Sequence, residues 1–163
     1  MEKYIALIKN LGAKDAKVID AKSVVTAPWT IFKCQFGCRR YGKSLCCPPH
    51  SPNYRQTKEI IDSYKHGILF TLHEGEKTTE IAVAAAKKLF IDGYYKAIAF
   101  GSGPCKICKE CNLQGCNFPG KTAPAMEACG IDVFETVKKN GYLVEVLKNN
   151  SELQNHFGLV LIE

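Results

Sequence analysis

The stretch that most constrains this chain is Cys105-Lys106-Ile107-Cys108-Lys109-Glu110-Cys111, followed after four residues by Cys116. Thiols at every third position of one tight loop cannot usefully pair with one another as disulfides. They are metal ligands by spacing. A lone tetrahedral zinc ion is commonly held by two short C-x2-C knuckles separated by a long gap, whereas here the C-x2-C steps overlap. An overlapping run offers one thiolate to each of three corners of an iron-sulfur cubane, the logic of the bacterial ferredoxin run C-x2-C-x2-C-x3-C-P. This chain departs from that run at two points: the last gap holds Asn112 to Gly115, and Pro119 lies three residues beyond Cys116. Cys116 either completes the site or serves a second one. The competing reading of Cys105, Cys108, Cys111 and Cys116 is a four-thiolate zinc site that holds the loop together.

A second group lies earlier, as Cys34-x3-Cys38 and then Cys46-Cys47-Pro48-Pro49. Side chains of adjacent residues diverge, so Cys46 and Cys47 are not both expected on one small metal. Cys34, Cys38 and Cys47 are the expected ligands, with Cys46 a bystander or an alternate. Three thiolates leave one metal corner open, which distinguishes a reactive centre from a structural one unless Cys46, His50 or Cys116 closes it. Cys129, between Ala128 and Gly130, reads as a small buried residue. Glu127 and Asp132 flank Gly130. They are either carboxylates facing the metal or, more economically for Asp132, a helix cap.

At 163 residues the chain suits one domain, 1–163, with room for a real core. Nine cysteines with no secretory leader and no long apolar run point to the cytoplasm, where thiols stay reduced and open to metal. No segment approaches a membrane span. The formal charge of +6 is carried by a lysine-rich surface, and the gathering of Lys33, Arg39, Arg40, Lys43, Arg55 and Lys58 near the first group is a hint of an acidic partner, protein or RNA. Nucleic acid is the weaker of the two, since no recognition motif accompanies it.

Apolar spacing predicts helices over 2–11, from Thr57 to His66 and over 77–92, and a short one ahead of Gly130 followed by another from Asp132 to Lys139. Strands are expected within Lys17 to Thr26, Trp29 to Lys33, Gly67 to His73, Tyr95 to Phe100, Tyr142 to Leu147 and Gly158 to Ile162, with a polar connection over Lys148 to His156. Strands alternating with helices predict an α/β fold: a mainly parallel or mixed sheet with flanking helices, joined by right-handed crossovers. Both cysteine loops would leave strand ends, after Lys33 and after Phe100. That rim is where open α/β sheets bind ligands, and the two loops could meet there.

No Walker loop, dinucleotide fingerprint, nucleophile elbow or HExxH motif is present. What stands out instead is Cys34-x3-Cys38-x2-Tyr41-Gly42-x4-Cys47-Pro48-Pro49-x-Ser51-Pro52, then Gly103-Pro104-Cys105-x2-Cys108-x2-Cys111-x4-Cys116-x2-Pro119, and Pro124-Ala125-Met126-Glu127-Ala128-Cys129-Gly130-Ile131-Asp132-Val133-Phe134. This pattern resembles the family of metal-binding proteins of unknown function found mainly in anaerobic bacteria and archaea. The resemblance implies Cys34, Cys38, Cys47, Cys105, Cys108, Cys111 and Cys116 as the metal-binding set, leaves Cys46 outside the motif, and implies an oxygen-poor setting. It supplies no substrate. The expected function is an iron-sulfur protein with one or two clusters, [4Fe-4S] by spacing, acting as an electron carrier or as the cluster-bearing part of a redox enzyme with a partner protein. The alternatives are a zinc-stabilised module that binds protein or RNA, and sulfur or metal delivery at an open cluster corner. Reduction potential and oligomeric state have no signature in the sequence.

Overall fold

The computed structural model describes residues 1–149 and 152–163. A four-stranded sheet is built from β1 (Asp15–Asp20), β2 (His66–Leu72), β3 (Ile98–Phe100) and β4 (His156–Leu161), in the order β1-β2-β4-β3. Around it lie α1 (Glu2–Asn10), α2 (Pro28–Gly37), α3 (Tyr54–Asp62), α4 (Gly75–Ile91) and α5 (Val133–Lys139).

The two inner strands are apolar on both faces, and their period-two alternation sorts the core into two layers. Ile68, Phe70 and Leu72, with Val160 and Ile162, face Tyr4 and Ile8 of α1 and Ile81, Ala82, Ala85 and Leu89 of α4. Leu69, with Phe157, Leu159 and Leu161, faces Ile61 of α3, Met126, Cys129, Ile131, and Val137 of α5. Burying one such side chain is worth about 1.5–3 kcal/mol. Phe70 is directly opposite Gly158 in the ladder, and a Cβ at Gly158 would stand 2.4 Å from the Phe70 ring. Glycine there lets the ring lie flat across β4. On the first layer, the Asp92 carboxylate after α4 receives Lys3 and Tyr4 of α1, each at 2.9 Å, and Lys88.

The expected parallel or mixed sheet is overturned: β1 with β2, β2 with β4, and β3 with β4 all pair antiparallel. The strand-helix-strand alternation that prompted the expectation is nevertheless real. Since β2 and β3 are both antiparallel to β4, they run in the same direction, joined by α4. The last strand of the chain inserts between them and converts what would have been a parallel pair into two antiparallel ones. Chain order alone carries no sign of such an insertion.

Two expected strands are also corrected. Trp29 to Lys33 lies inside α2, because Ala27, extended at φ −148° and ψ 135°, delivers Pro28 to the first helical turn. Proline there has a preset φ and gives up an N–H that no helix end could use, so the Ala27-Pro28 break starts a helix instead of separating two strands. Tyr142 to Leu147 forms no strand: Tyr142 packs edge-on against Phe157 at 5.4 Å, while Leu143 is 95% exposed and Val146 77%. The polar connection expected over Lys148 to His156 includes positions 150 and 151, outside the described residues. Among the described residues, no helix is long and apolar enough to cross a membrane.

Candidate metal centre

The first cysteine group begins on the last turn of α2. Cys34 and Cys38 stand four residues apart, with the Cys38 N–H donating to the Cys34 carbonyl at 3.2 Å, so both thiols issue from one end of the helix. The chain then folds through successive turns. Gly42 N–H donates to Pro48 O at 2.8 Å, Cys47 N–H to Ser44 O at 3.0 Å, and both His50 and Ser51 N–H to Cys47 O. The Pro48-Pro49 peptide is cis. Ser51 Oγ, buried, donates to the Ala128 carbonyl at 2.6 Å and ties the loop to the short 3-10 turn Glu127–Cys129.

The consequence is a thiol group with protein on most sides. Cys46 and Cys47 are buried, Cys34 is half-buried and Cys38 is exposed. Burial pushes the Cys34 thiol up, and the neighbouring Cys38, Cys47 and Glu127 charges push it further. Burial likewise raises Cys47, with Cys38 and Cys105 adding to it and Ser44 and Arg40 opposing. These mutual effects place Cys34, Cys38 and Cys47 in one neighbourhood. Glu127 keeps solvent access at its side chain, although the protein massed around it pushes the carboxyl above the usual carboxylate range. Asp132 caps α5 by accepting from Glu135 N–H at 3.0 Å, the economical reading of that residue. Cys129 is fully buried in the second core layer, its thiol pushed up to about 12, and belongs to the packing.

The second group leaves the end of β3 and the turn Gly101 to Pro104. Cys105, Cys108 and Cys111 are half-buried and Cys116 exposed, and all four line one cavity of about 590 Å³. The far wall of that cavity belongs to the first loop, through Arg40, Ser44 and Cys46. The two loops therefore meet, though not on the strand-end rim that the sequence suggested as a meeting place. The first arrives by a helix end, and only the second leaves a strand. Thr122 stands at the junction: its Oγ1 is 3.1 Å from Cys46 Sγ and donates to Cys105 Sγ at 3.4 Å. Cys46 turns toward Thr122 and Cys105, while among the thiols Cys47 is influenced first by Cys38 and less by Cys105.

Among the described residues, no three His, Cys, Asp or Glu side chains converge tightly enough to hold one ion. The lining nevertheless suits an anionic, sulfur-ligated group. The donors are soft thiols, the kind that select zinc and iron-sulfur clusters. Phe118 N–H donates to Cys116 Sγ at 3.4 Å. Arg40 donates through its terminal nitrogen to the Cys105 carbonyl at 3.1 Å, while its Nε is buried with no hydrogen-bond partner. A buried donor without an acceptor costs stability unless something accepts from it, and an anionic cluster sulfur or thiolate would. In the sequence Arg40 belongs to a basic group that suits a solvated surface, an acidic partner or an anionic thiolate cluster, whereas Thr122 carries no signal there and only the meeting of the loops brings it to two sulfurs. His50 is exposed on a turn, and His66 begins β2 away from both groups.

No curated protein and no solved structure matches the chain. A family model described as predicted metal-binding protein (DUF2284) matches residues 17–162, nearly the whole length, and covers both cysteine loops and the sheet that carries them. The chain belongs to that family of predicted metal-binding proteins.

Proposed function

We propose that the protein is an iron-sulfur protein, an electron carrier or the cluster-bearing component of a redox system, working with a partner protein in an oxygen-poor setting. The observation that carries this reading is the single cavity onto which Cys105, Cys108, Cys111 and Cys116 all open. Four thiols spread around a space of that size suit separate corners of a [4Fe-4S] cluster better than the single point of a zinc ion, whose Zn–S bonds of about 2.3 Å draw all four sulfurs together. A bound cluster of this kind supplies one-electron transfer. Cys105, Cys108, Cys111 and Cys116 hold it, Arg40 Nε and Phe118 N–H donate toward its sulfur, and Thr122 orients Cys105. Cys34, Cys38 and Cys47 hold a second centre whose fourth position is left to another ligand. Arg39 and Lys43, exposed beside the junction, give an acidic partner a place to dock.

The test is elemental. Protein purified under strict anaerobiosis should hold iron and acid-labile sulfide in near-equal amounts, about eight each for two cubanes or about four for one. Cys108→Ser and Cys34→Ser should then lose separate parts of that iron. About one or two zinc ions with no sulfide would overturn the reading and leave the loops as a structural scaffold.

A further inference from the structure

On the other side of Cys105 from the thiol cavity lies a second hollow, of about 830 Å³, that the metal-centre reading does not use. One wall is α4, with Thr79, Val83, Ala84 and Lys87; the other is the chain around Ser102 to Ile107 and Gly120 to Thr122. Cys105, Ile107 and Thr122 line both hollows and form the partition between them. Its size falls in the range of small-molecule sites, which are mostly apolar with a few placed polar groups.

The lining has that character. Val83, Ala84 and Ile107 supply apolar surface. Ser102 Oγ and His156 Nδ1 stand 3.3 Å apart at one end. That end is tightly built: a Cβ on Gly75 would fall 2.5 Å from the His156 ring, and one on Gly101 would fall 2.1 Å from Thr79 Oγ1. Lys87 on the α4 wall and Lys121 on the opposite wall set positive charge against Glu80 among the described lining.

We propose that this hollow binds a small organic anion, its carboxylate held between Lys87 and Lys121 and its apolar body lying along Val83, Ala84 and Ile107, against the Cys105 side of the metal centre. Positive charge from both walls selects the anion, and the partition puts it one residue away from the candidate cluster. The binding stands on this chain's own lining whichever metal occupies the thiols. Its redox meaning alone rests on the iron-sulfur reading.

Calorimetric titration of the anaerobically purified protein with 2-naphthoate, and with the uncharged 2-naphthalenemethanol, tests it. Saturable binding of the acid and none of the alcohol is expected, weakened at least about tenfold in Lys87→Ala/Lys121→Ala by loss of charge-assisted contacts, and lost in Ala84→Trp, which sets an indole where the apolar body would lie along Val83 and Ala84. A second apolar recess of about 960 Å³, lined by Phe134, Leu143 and Leu153 beside α5, serves as control through Leu143→Asp. Binding that survives Ala84→Trp but is lost in Leu143→Asp, equal binding of the alcohol, or no binding at all would overturn the proposal. Iron and sulfide measured on the same samples report the metal reading separately. A change in the cluster's paramagnetic resonance on adding 2-naphthoate would mark the contact through Cys105.

Discussion

The two cysteine loops differ in what holds them. The first is wrapped in its own backbone hydrogen bonds from Cys38 to Ser51, begins on a helix end, and is fastened by Ser51 to a turn whose neighbours Met126 and Ile131 lie in the core. The second runs from Ser102 to Phe118 with far less of this: Gly115 N–H to Asn112 O, Gln114 N–H to Asn112 Oδ1, and Phe118 N–H to a thiol. One loop is shaped by the protein. The other has few internal hydrogen bonds, and on the proposed reading it takes its order from the group its thiols hold.

Metal removal should expose that difference most strongly, because structural metal sites in small domains supply free energy on the scale of folding itself. With a strong chelator under reducing, anaerobic conditions, amide exchange across 102–118 should accelerate by about a hundredfold or more, while 38–52 changes little. Equal acceleration in both loops would erase the contrast and make the first loop as metal-dependent as the second.

Met126→Ala approaches the same contrast from the core. Met126 is fully buried beneath the turn that holds Ser51, so truncation should cost about 2–5 kcal/mol of global stability by denaturant melting. Exchange protection in the first loop should fall with it. If the first loop kept its protection while the protein lost stability, its order would not come from the packing beneath it.

This division also explains what is legible in the sequence. The cysteine spacing, the amphipathic periods of α1 and α4 and the apolar run Ile68 to Phe70 of β2 are local signals, and local chemistry decides them. The strand order is not local. β2, α4 and β3 read as a parallel unit until β4, arriving from the end of the chain, takes the place between them. Tyr142 to Leu147 carries a strand's composition, yet β4 already fills the inner position beside β2. α2 is hidden for another reason: Ala27-Pro28 suits a broken strand and a helix start equally, and the packing of the residues after Pro28 chooses between them. The sequence allows the two loops to meet, but its reason, a common rim of strand ends, fails because the first loop leaves a helix; the contacts that join them, Arg40 to Cys105 and Thr122 to two sulfurs, emerge only in three dimensions.

Ser51→Ala sharpens the comparison at smaller scale. The substitution removes a buried hydroxyl and leaves the Ala128 carbonyl without that donor, for about 1–3 kcal/mol. The first loop's exchange should rise and the second's should not. Loss of protection in 102–118 as well would mean that the loops order as one unit through Cys46 and Arg40.

Thr122→Val makes the smallest change in stability and bears most directly on the junction. Valine keeps the shape of threonine and removes a hydroxyl within reach of both Cys46 and Cys105. The bond is partly exposed and ends on sulfur, so the change in unfolding free energy should stay within about 1.5 kcal/mol. A donor to a ligating thiolate, however, stabilises the reduced and more negative form of a cluster, and its removal should lower the reduction potential of the Cys105 centre. The proposed second centre on Cys34, Cys38 and Cys47 includes neither of the sulfurs Thr122 touches, so its potential should be unmoved. Protein-film voltammetry of the variant beside the parent separates the two: one wave should shift to more negative potential and the other stay. If both waves moved together, Thr122 would act through the fold as a whole, and the two loops would have to be regarded as one electrostatic unit with two sets of ligands.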